Sequence, residues 1–294
     1  MKESHITLKD GRKLGYVDSG STDGLPIFLL HGTPGSRIFG FEKEPIIASE
    51  NLRLITPERP GYGLSDPLPS RTMKDFCKDV EQLADYLKLE RFHIAGVSGG
   101  GPYTLACAYY LPTRIISATL IASATPCNIA SFSKGMSIGN KLAFFLASYI
   151  PILLKPLYYY SARILYKNPN KLIEGLKPQL CSWDKEVLNE LSKQDKIDVF
   201  ISHIREAYNQ GATGTYSDTM LLVKPWGFNF KDIHTPIYMW HGTSDTLMPI
   251  EPAKEFSKML PNCESCFIEN AGHLLLENEE TSKLIIKKIV NIFT

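Results

Sequence analysis

Phe92-His93-Ile94-Ala95-Gly96-Val97-Ser98-Gly99-Gly100 is the stretch on which the fold turns. Phe92–Ala95 reads as a strand, the glycines that follow permit a sharp turn, and Gly100–Leu111, rich in Ala and aromatics, reads as a helix. A serine in such a strand–turn–helix elbow is held in a strained backbone conformation. Its hydroxyl is presented above the carboxyl end of the sheet, and the N-terminal dipole of the helix points toward charge that develops there. The same G-x-S-x-G spacing recurs at Gly135-Met136-Ser137-Ile138-Gly139, but Ser131-Phe132-Ser133-Lys134 before it is no buried strand. Ser98 is therefore the candidate nucleophile, and Ser137 is not.

On either side of the elbow, strand-like and helix-like segments alternate. Ser4–Leu8 and Lys13–Asp18 flank Asp10-Gly11, a hairpin signal. Ile27–Leu30 and Leu52–Thr56 are short apolar runs of the kind that strands covered on both faces require. Between Thr72 and Leu89, Phe76, Val80, Leu83 and Leu87 share one helical face. Ile115–Ile121 is a further strand, and after a long gap come strand Ile237–Trp240, helix Glu251–Leu260, strand Ser265–Ile268 and helix Glu280–Ile292. Alternation of this kind predicts a mostly parallel sheet with helices on both faces, made mixed by the initial hairpin. From Cys127 to Tyr208 the patterns are helical, too long for a loop. Residues 1–126 and 209–294 are expected to form an α/β core, and 127–208 a helical cap, or lid, inserted in one connection.

Composition narrows the function classes. The chain has 294 residues with 32 basic and 31 acidic side chains, a net charge of +1, which supplies no field for nucleic acid. No apolar run follows the N-terminal Met-Lys-Glu-Ser-His, no Asn-x-Ser/Thr sequon occurs, and the six cysteines are scattered, so a reducing cytoplasm is expected. Cys263-Glu-Ser-Cys266 lacks a second ligand pair for zinc and runs into a strand where a redox motif should open a helix. The longest apolar stretch, Leu142–Tyr166, is broken by Pro151, Lys155, Pro156 and Arg163 and is too short to span a membrane.

A serine hydroxyl needs a base, and the base needs an orienting group. Of the seven histidines (His5, His31, His93, His203, His234, His241 and His273), His273 sits in Asn270-Ala271-Gly272-His273, just after the last strand. Asp245 follows the strand Ile237–Trp240 through His241-Gly242-Thr243-Ser244. Both fall in loops at the carboxyl ends of strands, where Ser98 projects, and the order Ser98, Asp245, His273 suits this architecture. Alone, Asp245 reads first as a turn or helix cap before Pro249; its joint placement with Ser98 and His273 favours the orienting acid. The oxyanion of a tetrahedral intermediate needs N–H donors, for which Thr33 in His31-Gly32-Thr33-Pro34-Gly35 and Gly99 are the candidates. Pro34 has no N–H, and His31 is read as ordering the loop.

Together these segments resemble the α/β-hydrolase superfamily over essentially the whole chain. His31–Gly35 is similar to an HGxPG oxyanion loop, and Arg59-Pro60-Gly61-Tyr62-Gly63-Leu64-Ser65-Asp66 to the family's RPGxGxSD segment. Asp245 with Pro249 is similar to its acid loop, and Gly272-His273 to its histidine loop. Glu58 stands where many members carry Asp, a departure to which the sequence attaches no consequence. The resemblance implies eight strands, a helical cap after the sixth, and a serine hydrolase that needs neither cofactor nor metal. A serine at position 98 points away from the dehalogenase and epoxide hydrolase branches, which carry aspartate there.

The expected activity is cleavage of a carboxylic ester of a small or medium apolar substrate through an acyl-enzyme. The alternatives are an aminopeptidase similar to prolyl iminopeptidases, a carbon–carbon bond hydrolase, and a ligand-binding receptor that keeps the triad. Most of the apolar cap residues Leu142, Phe144, Phe145, Leu146, Tyr149, Ile150, Ile152, Leu153, Leu154, Leu157, Tyr158, Tyr159 and Tyr160 are expected to pack against the core or each other, and membrane contact is not the expected use of that face. Glu174, Asp184, Glu186 and Glu190 are expected on a solvated helix face.

Overall fold

In the computed structural model, residues 2–40, 44–194 and 196–291 are described; Ile292, the expected end of the last helix, lies outside them. The buried runs become strands: β1 (Lys2–Thr7), β2 (Lys13–Gly20), β3 (Leu25–Leu30), then helix α1 (Glu44–Ser49), β4 (Leu52–Pro57), α2 (Met73–Tyr86), β5 (Phe92–Val97), α3 (Gly101–Tyr110) and β6 (Ile115–Ile121). Every residue of β5 is buried, as a strand covered on both faces demands. The first helix of the cap follows β6, and the sheet resumes with β7 (Ile237–Gly242), α10 (Ile250–Ser257), β8 (Cys263–Ile268) and α11 (Glu279–Asn291). Between them lie α4 (Ile138–Tyr149), α5 (Pro151–Lys167), α6 (Pro169–Leu176), α7 (Ser182–Lys193), α8 (Ile197–Ala207) and α9 (Thr213–Leu222).

The eight strands form one sheet in the order β1-β2-β4-β3-β5-β6-β7-β8. The hairpin β1–β2 and the pair β2–β4 are antiparallel; the remaining pairs are parallel. β4 lies on one side of β3 and β5 on the other, so the strand order reverses there. The loops leaving β3 and β5 consequently emerge side by side, with Leu30 in register with Gly96. Such a reversal point is where open α/β sheets bind ligands.

Hydrophobic cores form on both faces of the sheet. One joins Phe76, Val80 and Leu83 of α2, Leu105 of α3 and Phe256 of α10; the other joins Ile47 of α1 with Ile285 and Ile289 of α11. A third, under the cap, packs Leu165, Leu188, Leu191 and Ile201 against Tyr62 and Leu274 of the core.

Several details depart from expectation. α9 follows Tyr208 and contacts α4 and α5, yet its sequence, Thr213-Gly-Thr-Tyr-Ser-Asp-Thr-Met-Leu-Leu222, has no apolar stripe to announce it. Cys263 and Cys266 both lie inside β8, three positions apart and hence on opposite sides of the strand. The apolar cap residues named above divide: Phe144 and Leu154 are buried and Leu146 and Tyr158 half-buried, whereas Leu142, Phe145, Tyr149, Ile150, Ile152, Leu153, Leu157, Tyr159 and Tyr160 are exposed. Asp184, expected in solvent, is fully buried, whereas Glu174, Glu186 and Glu190 are exposed.

Candidate active site

Ser98 occupies the turn between β5 and α3 with φ +52°, the left-handed region that costs a non-glycine residue on the order of 1–3 kcal/mol. The surroundings hold it there. The Ser98 carbonyl accepts the N–H of Ala124 at 3.0 Å. A Cβ at Gly96 would lie 2.6 Å from the Gly100 carbonyl oxygen, and one at Gly100 would lie 2.5 Å from that of Leu30. Glycines at 96 and 100 thus let β3, β5 and α3 approach closely enough to force the turn. Ser137, the second match to the spacing, instead caps α4, its side chain accepting the N–H of Asn140.

His273 and Asp245 meet although they are far apart in sequence. The Nδ1–H of His273 donates to Asp245 Oδ2 at 2.7 Å. Asp245 Oδ1 accepts the N–H groups of Leu247 and Met248, each at 2.8 Å. One carboxylate therefore serves as turn cap and histidine partner together; the two sequence readings do not compete. Burial disfavours the charged imidazolium of His273, but the adjacent Asp245 carboxylate outweighs it and pushes the pKa up to about 9. His241 also approaches Asp245, at 3.5 Å, but its Nε2–H bonds the Met248 carbonyl and burial lowers its pKa.

The loop after β3 lies against the elbow. A Cβ at Gly99 would stand 2.8 Å from the Thr33 Cβ and 3.4 Å from the Thr33 backbone nitrogen, so the two expected oxyanion donors are neighbours. His31 is completely buried: its Nε2 accepts the Arg59 N–H at 3.3 Å, and burial holds its pKa well below the ordinary value.

A buried charge cluster anchors this loop. Arg59 donates to the carbonyls of His31 and Gly32, at 2.6 and 2.7 Å. Asp218, on α9, accepts from Arg59 Nε, the Tyr62 hydroxyl and the Thr33 hydroxyl on one oxygen, and from Arg71 and the Tyr103 hydroxyl on the other, all within 2.5–2.9 Å. Burial opposes its ionisation, but Arg59 and Arg71 hold its pKa well below the usual carboxylate range. With two guanidinium groups against one carboxylate, the cluster carries net positive charge beneath the loop after β3. Sequence reasoning missed Asp218. The available signal was Arg59 and Arg71 flanking buried segments, each needing a carboxylate partner that spacing alone does not identify.

Further tethers join cap to core. Asp184 of α7 accepts the Leu274 N–H at 2.9 Å, beside His273. Glu58 holds Arg37 at 2.9 Å, and Arg37 reaches Glu206 of α8 at 2.5 Å. The Glu-for-Asp departure thus has a consequence: the longer side chain fills the space left by Gly15 and Gly63 and reaches the cap-facing arginine. Burial pushes Glu58 up to about 7. Ser36 donates its hydroxyl to the His203 carbonyl at 2.8 Å, and burial brings the His203 pKa down to about 3.

Ser98, Thr33, Gly99 and His273 border one cavity of about 260 Å³. Its walls are mainly apolar: Phe39 from the core, Phe144 of α4, Tyr158 of α5, Leu176 of α6, Phe200 and Ile204 of α8, and Leu247 and Met248. Glu277 is the one carboxylate among the described wall residues. Among the described residues, no group of three His, Cys, Asp or Glu side chains is placed to hold a metal. The arrangement places a serine hydroxyl, a carboxylate-oriented imidazole and the backbones of Thr33 and Gly99 beside an apolar chamber.

Comparison with known proteins agrees with this architecture. Residues 26–280 match the family model for the alpha/beta hydrolase fold. An uncharacterized hydrolase of Bacillus subtilis, YcgS, is 22% identical over 93% of this chain and 93% of its own length. A proline iminopeptidase of Neisseria gonorrhoeae is 23% identical over 92% of this chain and 88% of its own. The structure of a thermophilic esterase from Thermogutta terrifontis superposes with a TM-score of 0.69, at 21% identity and 99% coverage of both chains.

Proposed function

Because the chain belongs to the alpha/beta hydrolase fold family and is a hydrolase of that fold, we propose that it is a serine esterase cleaving carboxylic esters with a small or medium apolar group. The observation that carries this reading is the 2.7 Å His273–Asp245 bond at the wall of the cavity that Ser98 borders.

In the proposed reaction, neutral His273 takes the Ser98 hydroxyl proton as Oγ bonds to the ester carbonyl carbon. Asp245 fixes the ring tautomer and stabilises the imidazolium. The N–H groups of Thr33 and Gly99 hold the oxyanion, and the buried positive cluster under Thr33 favours the same charge. Collapse expels the alcohol, which takes the proton from His273. Water then attacks the acyl-enzyme, giving its proton to His273 and releasing the acid as Ser98 recovers its own. The apolar walls favour an apolar substituent.

Glu277, a carboxylate in the same walls, favours a second reading, an aminopeptidase that receives a substrate ammonium. A panel of p-nitrophenyl esters set against proline p-nitroanilide separates the two. Fluorophosphonate should label Ser98 in the native chain and leave Ser98→Ala unlabelled, with ester turnover down by several orders of magnitude. Near-normal turnover by Ser98→Ala would overturn the assignment, and labelling without multiple turnovers would favour a receptor.

A further inference from the structure

The outer face of the cap exposes large apolar side chains among the described residues. Along α4, Ile138, Leu142, Phe145 and Tyr149 recur at intervals of four, three and four residues, a single helical stripe, and all four are exposed. The stripe runs into the α4–α5 turn, Tyr149-Ile150-Pro151-Ile152-Leu153, where Tyr149 and Ile152 are 74% and 78% exposed and Leu153 52%. Leu157 and Tyr160, four and seven residues beyond Leu153, continue it along α5. An exposed apolar stripe of this kind marks an interaction site.

The charge around it identifies the partner. Between Ile129 and Ile173 there is no Asp or Glu, but there are six cations: Lys134, Lys141, Lys155, Arg163, Lys167 and Lys171. All six are exposed, and among the described residues none is in an ion pair. A second copy of this chain seated face to face would set like charges against each other. An anionic lipid surface complements both features, taking the apolar tip among its acyl chains and the cations at its headgroups.

We propose that the α4–α5 hairpin docks the protein on the surface of an anionic lipid bilayer. Among the described residues no helix is long and apolar enough to cross a membrane, so the contact is interfacial. The inner faces of the same two helices supply Ala143, Phe144 and Tyr158 to the cavity walls, which sets the lipid one helix away from the chamber. The inference stands on surface and charge alone and does not depend on which bond the enzyme cleaves.

Flotation with phosphatidylcholine vesicles, with and without phosphatidylglycerol, tests it. The full chain should float with the anionic vesicles only, and less as salt is raised. Tyr149→Ser combined with Ile152→Glu and Leu153→Glu should abolish flotation. Lys155→Glu with Arg163→Glu should weaken it at least about tenfold. None of these side chains borders the cavity, and thermal unfolding should show both variants folded. No flotation of the native chain, equal flotation with neutral vesicles, binding untouched by the charge reversals, or a stable dimer dispersed by the same substitutions would each overturn the proposal.

Discussion

Asp184, on a cap helix, accepts the backbone N–H of Leu274, the residue directly after His273, at 2.9 Å. The contact is so close that a Cβ on Gly272 would collide with the Asp184 carboxylate. Cap and histidine loop are therefore one mechanical unit. Asp184→Ala strands a buried N–H, which should cost about 1–3 kcal/mol in urea unfolding. It should also lower kcat more than it raises KM, because the histidine loop loses its anchor. Asp184→Asn keeps an acceptor and should recover most of both; equal behaviour of the two variants would show that the bond does not position His273.

His273 gives a pH signature with opposite signs for stability and turnover. Its ordinary value is 6.5 and its folded value about 9, so the folded chain holds the proton more tightly. The His273–Asp245 contribution, on the order of 3 kcal/mol, is fully present below pH 6.5 and fades as pH rises through about 9. Turnover needs the neutral ring, so kcat/KM should climb with pH and level off above about 9. Rate profiles and unfolding curves across this range check both. In His273→Gln this part of the stability slope should vanish.

Asp218 neutralises part of a cluster that it cannot leave without consequence. Asp218→Asn places two buried guanidinium groups, Arg59 and Arg71, without their counter-charge, and should destabilise the chain by about 3–5 kcal/mol. Tyr62→Phe removes one hydrogen bond from the same carboxylate and should cost only about 1 kcal/mol. Thermal or urea unfolding ranks the two, and equal losses would refute the charge-based explanation.

What could be read from residues alone follows the range of the interactions concerned. β5 and the elbow were legible because a fully buried run, a serine and closely spaced glycines are local signals. Asp245 and His273 were legible because each follows a recognisable strand, which fixes the end of the sheet where it must lie. α9 was not, since its mixture of Thr, Gly, Ser and a lone Asp carries no periodic stripe. Its carboxylate gains meaning only from partners 115 to 185 positions away. The exposure of Tyr149 and Ile152 was hidden for another reason: in a segment apolar on all sides, composition does not say which side meets a neighbour.

Ser98, Thr33, Asp245 and His273 all belong to the sheet and its loops, while the cap enters and leaves the core between β6 and β7. On that count the cap is an exchangeable cassette, and chimeras that swap it for a relative's would need only matched splice points. The buried carboxylates say otherwise. Asp184 and Asp218 travel with the exchanged piece, whereas the backbone and arginines they satisfy stay behind. A viable graft must bring its own acids to those two places, and a transplant chosen for pocket shape alone would arrive without them.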